Sequence, residues 1–195
     1  MASIKIVTDS TSDIPLSVAH ELGIEIVPMH IQVGDQMYRA GLDITSDQFY
    51  QWMQDGRVNA TTSAPPSIVF EQLYRRLTLE HEHIFSIHMS SRLGGIYRSA
   101  QQARGRLPAS ATRTEVIDSK LASMGLGLVV MHAAKAVQAG ATANEVSRLI
   151  NALIQHCHVV FFVDSIEYLE NSGRLSLATA VLGSMQRIKP LLLLD

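Results

Sequence analysis

The chain has 195 residues, 47% hydrophobic and 17% charged, with a formal net charge of −2 at pH 7. That balance belongs to an ordinary globular protein able to bury a core, as one large domain or one domain with part of another. The absence of a basic excess or a Lys/Arg run argues against nucleic acid as the principal partner, and the longest apolar runs, Leu126–Ala134 and Val159–Val163, fall short of the ~20 residues of a membrane span.

The N-terminal MASIKIVTDS enters a strand pattern directly, with no basic segment and apolar h-region, so no signal peptide is expected. Ile4–Val7 reads as a strand, Thr8–Asp13 as a polar loop, Pro15–Leu22 as a short helix ended by Gly23, and Ile24–Val27 as a second strand. Strand, crossover and strand in so short a span make a compact right-handed βαβ unit. Ile31–Val33 and Gln36–Tyr38 flank Gly34 and Asp35 as a hairpin. Thr45 or Ser46 caps a helix carrying Phe49, Trp52 and Met53 on one face and ended by Gly56, with Trp52 expected in the core. Thr61–Ser67 reads as a polar turn, followed by a helix whose first turn tolerates Pro65 and Pro66 and whose buried face holds Val69, Phe70, Leu73, Tyr74 and Leu77. Ile84–Met89 is an apolar strand, Ile96–Arg106 a helix that stops before Pro108, and Glu115–Ile117 a strand. A long apolar helix spans Ala122–Ala139 and ends at Gly140, and Thr142 with Glu145 forms a capping box for a helix towards Gln155. Val159–Val163 reads as a strand buried on both faces. Short helices around Asp164–Asn171 and after Ser176 then lead to a last strand at Ile188–Leu194. So apolar a terminal strand leads to the expectation that residues follow Asp195. Element order places a boundary after Cys157: residues 1–157 form one α/β/α domain, and 158–195 begin a second α/β domain, incomplete as given.

The eight histidines do not assemble a metal motif: HEXXH is absent, and His81 with His83, or His156 with Cys157 and His158, supply too few ligands. His81 and His83 are expected to be solvated. No metal is predicted. Cys157 has no partner for an internal disulfide, which with the N-terminus leads to the expectation of a cytoplasmic protein holding a buried structural thiol. MGLG at Met124–Gly127 echoes a dinucleotide fingerprint without its third glycine, and a packing role fits it better. GxxxxGK[ST] and GxSxG are absent. Asp9, Asp118 and Asp164 each follow a strand, where an aspartate ordinarily bonds turn N–H groups.

The organising stretch is IFSIHMSSRLGGIYRSA, Ile84–Ala100. A strand, a Ser/Gly turn and a helix start make an anion seat, because the first helical turn leaves N–H groups without partners and glycine lets a ligand approach the backbone. A second polar turn, TTSAPPS from Thr61, faces it across the sheet in this reading. Arg174, on the turn Gly173–Leu175, is a cation suited to a carboxylate or phosphate.

IVTDSTSDIP, TTSAPPS, SSRLGGIYRSA, VIDSKLASMGLG and VDSIEYLENSGRLS, in this order over nearly the whole chain, resemble the DegV family of fatty-acid-binding proteins. The resemblance implies an N-terminal three-layer α/β/α domain with a mostly parallel sheet, followed by a two-layer α/β domain. Between them a long-chain fatty acid lies with its carboxylate near the domain junction. It implies no catalysis and no cofactor besides the fatty acid as ligand, and, in some members, presentation of the acyl carboxyl to a separate fatty acid kinase subunit. Carried over by position, Thr62 donates to the carboxylate with Ser63 beside it, Gly94 and Gly95 offer backbone N–H, Ser91 stands by, and Arg174 sits near the mouth. The family's SSxLSGTY reads here as SSRLGGIY, so a serine is replaced by Gly94 and a threonine by Ile96. Ser90 or Ser91 is the candidate replacement for the missing hydroxyl. The rival reading is an enzyme or kinase-like subunit acting on a small phosphorylated or carboxylated metabolite, with the rim aspartates holding a divalent ion.

Overall fold

The structure, a computed structural model, describes residues 3–54, 60–108, 113–162 and 191–194. The chain divides into two compact units, Met1–Cys157 and His158–Asp195. The first is organised on a four-stranded parallel sheet of β1 (Ile4–Asp9), β2 (Glu25–Val27), β6 (His83–His88) and β7 (Arg113–Asp118), in the order β2-β1-β6-β7. β6 is buried at every residue, as an inner strand covered on both faces must be. One face is covered by α5 (Ser123–Gln138), which packs on β1 and β6 and carries α6 (Ala143–His156) outside it. The other lies under α3 (Ser67–Leu77) and α4 (Ile96–Gly105): Phe70 packs edge-on against His88 and the Tyr74 hydroxyl bonds Ser86. The domain is therefore a three-layer α/β/α sandwich. The short helix α1 (Leu16–Glu21) joins β1 to β2.

Most predicted elements stand within a residue or two of their expected bounds, and the capping box on α6 is complete, Thr142 accepting from the Glu145 N–H while Glu145 accepts from the Thr142 N–H. The hairpin is β3 (His30–Val33) and β4 (Gln36–Arg39), turned at Gly34 with φ 57°, a conformation open to glycine at no steric cost.

Five expectations are corrected. The Thr61–Ser67 turn is largely a strand, β5 (Ala60–Ser63), antiparallel to β3 with Ile31 opposite Thr62, in a second sheet of order β4-β3-β5. Trp52 on α2 (Ser46–Gln54) is only half-buried, edge-on to Tyr38 at 5.6 Å between ring centroids. The run from Val159 is not a doubly buried inner strand: β8 (Val159–Phe162) pairs antiparallel with β9 (Leu191–Leu194) and leaves Val160, Phe161 and Phe162 exposed. His83 is buried rather than solvated, bonded to Glu115 at 2.8 Å and stacked on Phe85, while His81 bonds Ser3. Cys157 is half-buried, its Sγ 3.8 Å from the Gly125 carbonyl. The helices expected between Asp164 and the last strand lie outside the described residues.

Candidate functional site

From β1 the chain leaves for β2 on one side, and from β6 for β7 on the other, so the loops after β1 and β6 diverge at the C-terminal edge of the sheet. In open α/β sheets such a switch point is where ligands bind. The loop after β6 is Met89–Gly95, and α4 starts directly behind it with Gly95 at the N-cap. Its fold is set by bonds to its neighbours. The Ser90 N–H reaches the Leu121 carbonyl at 2.9 Å, the Ser91 N–H reaches Asp118 at 3.1 Å, and Ser90 Oγ accepts from the Arg92 N–H. Asp118 also accepts from the Lys120 N–H, the turn-bonding role expected of it. Among the described residues, the N–H groups of Gly94 and Gly95 donate to no protein acceptor, and the Ser91 hydroxyl has no partner.

The second segment comes alongside. A Cβ built on Gly95 would lie 3.6 Å from the Cβ of Ala64, two residues beyond Thr62, and Ser99 Oγ of α4 donates to the Pro65 carbonyl at 2.5 Å. The end of β5 and the start of α4 are thus in contact, which brings Thr62 and Ser63, both exposed, to the same edge as Ser91, Gly94 and Gly95. By register, Thr62 shares a strand face with Ile31 and Tyr38. Arg174 lies outside the described residues.

Beneath this edge is a polar chain that motif reading missed. Asp9 Oδ2 accepts from His88 Nδ1 at 2.9 Å and from the Met89 N–H at 3.1 Å, while Oδ1 accepts from the N–H and hydroxyl of Thr11 at 3.0 and 2.5 Å. His88 Nε2 is 2.7 Å from Ser86 Oγ, which takes the Tyr74 hydroxyl at 2.7 Å. Burial alone pushes the Asp9 carboxyl up, but His88, Thr11 and the Met89 N–H outweigh it and hold it below the usual carboxylate value. Burial pushes the Tyr74 phenol well above its ordinary range, so it stays a neutral donor. The order Ser, His, Asp is that of a hydrolase triad, yet Asp9, Ser86, His88 and Tyr74 are each 0% exposed. Ser86 cannot meet a substrate there; the chain braces two loops instead, tying Thr11 after β1 to Met89 after β6. The signal in the sequence was Ser86 and His88 at a spacing of two in an apolar strand, polar groups that had to find buried partners. Among the described residues no group of three or more His, Cys, Asp or Glu side chains could hold a metal, and Asp9 is wholly engaged.

A family model described as "Uncharacterised protein, DegV family" matches residues 3–195. The chain belongs to the DegV family. It is 33% identical over 192 residues to a DegV domain-containing protein of Caldanaerobacter subterraneus subsp. tengcongensis, covering 98% of this chain and 68% of that one. A solved structure described as "Fatty Acid Binding of a DegV family Protein from Thermus thermophilus" superposes with a TM-score of 0.88 at 33% identity, covering 99% of this chain and 68% of the other. DegV of Bacillus subtilis, described as a fatty acid binding protein, gives a TM-score of 0.91 at 27% identity, covering 100% and 69%. The chain therefore spans about two thirds of these DegV proteins' length.

The structure shows what surrounds each of the two departures from the DegV pattern noted above. The space a side chain on Gly94 would take is held by Met89, whose Cε is 2.8 Å from a Cβ built there. Ile96 is 0% exposed and faces the core, so it offers the edge nothing polar. The faint glycine fingerprint resolves as packing: a Cβ on Gly127 of α5 would lie 2.4 Å from the Ser12 carbonyl oxygen. No helix among the described residues is long and apolar enough to cross a membrane.

Proposed function

We propose that this DegV-family chain binds a long-chain fatty acid, its carboxylate held between the end of β5 and the start of α4. The observation carrying this reading is the contact of Ala64 with Gly95, which sets the hydroxyls of Thr62, Ser63 and Ser91 and the unpaired N–H groups of Gly94 and Gly95 at one edge, beside a helix N-terminus. A carboxylate brought out of water needs several such donors. The likeness to fatty-acid-binding DegV structures at 33% and 27% identity supports the choice of ligand. The acyl chain contributes ~0.8 kcal/mol per buried CH₂, so the tail carries most of the affinity and the edge fixes orientation. In this reading the bound carboxyl is presented to a separate fatty acid kinase subunit. The chain performs no chemistry of its own in this reading, and the Ser–His–Asp array found among the described residues is sealed in the core.

The test is mass spectrometry of lipid extracted from the purified protein. A C14–C18 acid at about one equivalent is expected, with retention falling at least ~10-fold in Thr62→Val, the loss of a hydrogen bond to a charged group being about 1.5–3 kcal/mol. Protein that takes up no fatty acid on incubation would overturn the reading, and unchanged occupancy in the variant would remove Thr62 from it.

A further inference from the structure

A second concavity lies apart from that edge. A half-open cleft of about 540 Å³ is formed by the loop after β1, the start of α1, the end of β2, the β4–α2 connection and α2 itself. None of residues 60–67 or 90–96 lines it. Around it stand three large apolar side chains in water, Leu16 at 59%, Leu42 at 59% and Tyr50 at 61% exposure, contributed by α1, the β4–α2 connection and α2. Such a side chain standing alone on a surface is unremarkable, but three of them ringing one hollow form the kind of patch that marks an interaction site.

Charge narrows the occupant. Asp13 is the charged residue of the lining. It sits in the left-handed region at φ 53°, with Oδ2 taking the Ser123 hydroxyl at 2.5 Å and no partner described for its other oxygen. Asp43 and Asp47 flank the lining residues Leu42 and Ser46, and the cation close by, Arg39, is held bidentately by Asp43 at 2.9 and 2.8 Å. Segments 10–16 and 39–50 thus carry three acidic residues and one basic one. A carboxylate-headed lipid is repelled. A small organic cation filling the hollow would cover only the inward sides of Leu16, Leu42 and Tyr50, whereas a polypeptide lying across it covers their exposed faces as well.

We propose that this cleft docks a partner protein through a bulky apolar side chain, leucine or aromatic, carried on a segment flanked by lysine or arginine. The anchor enters the hollow, the ring of Leu16, Leu42 and Tyr50 excludes water around it, and the basic flanks meet Asp13 and Asp47. This site is independent of the fatty-acid reading.

The probes are two short amphipathic helical peptides with one shared leucine and tryptophan face, one bearing lysine on its polar face and the other glutamate. Binding is followed by fluorescence anisotropy and by amide shifts in heteronuclear NMR spectra of the intact chain. The lysine peptide is expected to bind saturably, about tenfold tighter than the glutamate one, with shifts centred on residues 13–16 and 40–50, and to weaken as ionic strength rises. Leu42→Glu should weaken it at least about tenfold and Asp13→Asn several-fold, while fatty acid retention by both variants stays at the wild-type level. Because Leu42 and Asp13 are exposed, each variant folds, and circular dichroism checks that it does. Equal binding of both peptides, shifts centred elsewhere, no binding, or indifference to both substitutions would overturn the proposal. So would concentration-dependent dimerisation abolished by Leu42→Glu, which would give the face to a second copy of the chain.

Discussion

Replacing Asp9 by asparagine changes almost no volume, so its cost can be worked from hydrogen bonds alone. Four donors converge on the carboxylate: the N–H and O–H of Thr11 on Oδ1, the Met89 N–H and His88 Nδ1 on Oδ2. A hydroxyl can rotate and an imidazole can change tautomer, so Thr11 Oγ1 and His88 can adapt to an amide. The two backbone N–H groups cannot, and they sit on different oxygens. Asparagine has one acceptor oxygen, so in either flip it leaves the Thr11 or the Met89 N–H facing an NH₂. An orphaned buried donor costs about 1–3 kcal/mol. With a urea m-value of about 2 kcal/mol/M, Asp9→Asn should lower the urea midpoint at pH 7 by roughly 0.5–1.5 M. The pH dependence gives an independent check. The folded carboxyl of Asp9 lies below its unfolded value of about 3.9, so the stability it contributes is complete above about pH 4 and is lost as pH falls through the lower folded value. The wild type should therefore shed stability below pH 4 more steeply than the variant. Equal midpoints at pH 7, or superimposable acid limbs, would refute the role assigned to this carboxylate.

Two further outcomes follow from glycine positions. Gly127→Ala puts a methyl 2.4 Å from the Ser12 carbonyl oxygen and 3.3 Å from Ile14 Cγ1, so α5 must back away from the loop after β1. A net loss of about 1–2 kcal/mol in urea unfolding is expected, overpacking outweighing the ~1 kcal/mol of helix propensity gained, and a stabilised variant would show that the approach is not tight. Gly94→Ser meets only the end of the flexible Met89 side chain, so urea stability should move by less than about 1 kcal/mol. The added hydroxyl should raise fatty acid retention about tenfold, the low end of a hydrogen bond to charge; unchanged retention would mean that position 94 does not face the head group.

What could be read from the chain was what local physics decides. Period-3.6 faces, the Thr142 and Glu145 box and the Gly140 stop need only neighbours within a few positions, and α3, α5 and α6 stand where those signals put them. The errors arose where a distant segment settles the matter. Thr61–Ser67 reads locally as a polar turn, but Thr61 and Thr62 are β-branched and good strand material once β3 offers an edge with Ile31 opposite Thr62. At Val159, apolarity alone cannot tell an inner parallel strand from one in a two-stranded antiparallel pair. At the edge itself, the glycines and hydroxyls were legible one by one, while the Asp9–His88–Ser86–Tyr74 chain was not, since its aspartate lies 79 residues from the histidine. Yet the two belong together. A loop that offers Gly94 and Gly95 N–H groups to a ligand cannot spend them on its own folding, so its shape must be imposed from outside. Asp9 through Met89, and Asp118 through Ser91, impose it: both oxygens of Asp9 are engaged inside the protein, and Oδ1 of Asp118 takes the Ser91 and Lys120 N–H groups. On the proposed reading the aspartates at the sheet edge serve binding by holding the loop from below, leaving its unpaired N–H groups as the donors for a negatively charged ligand.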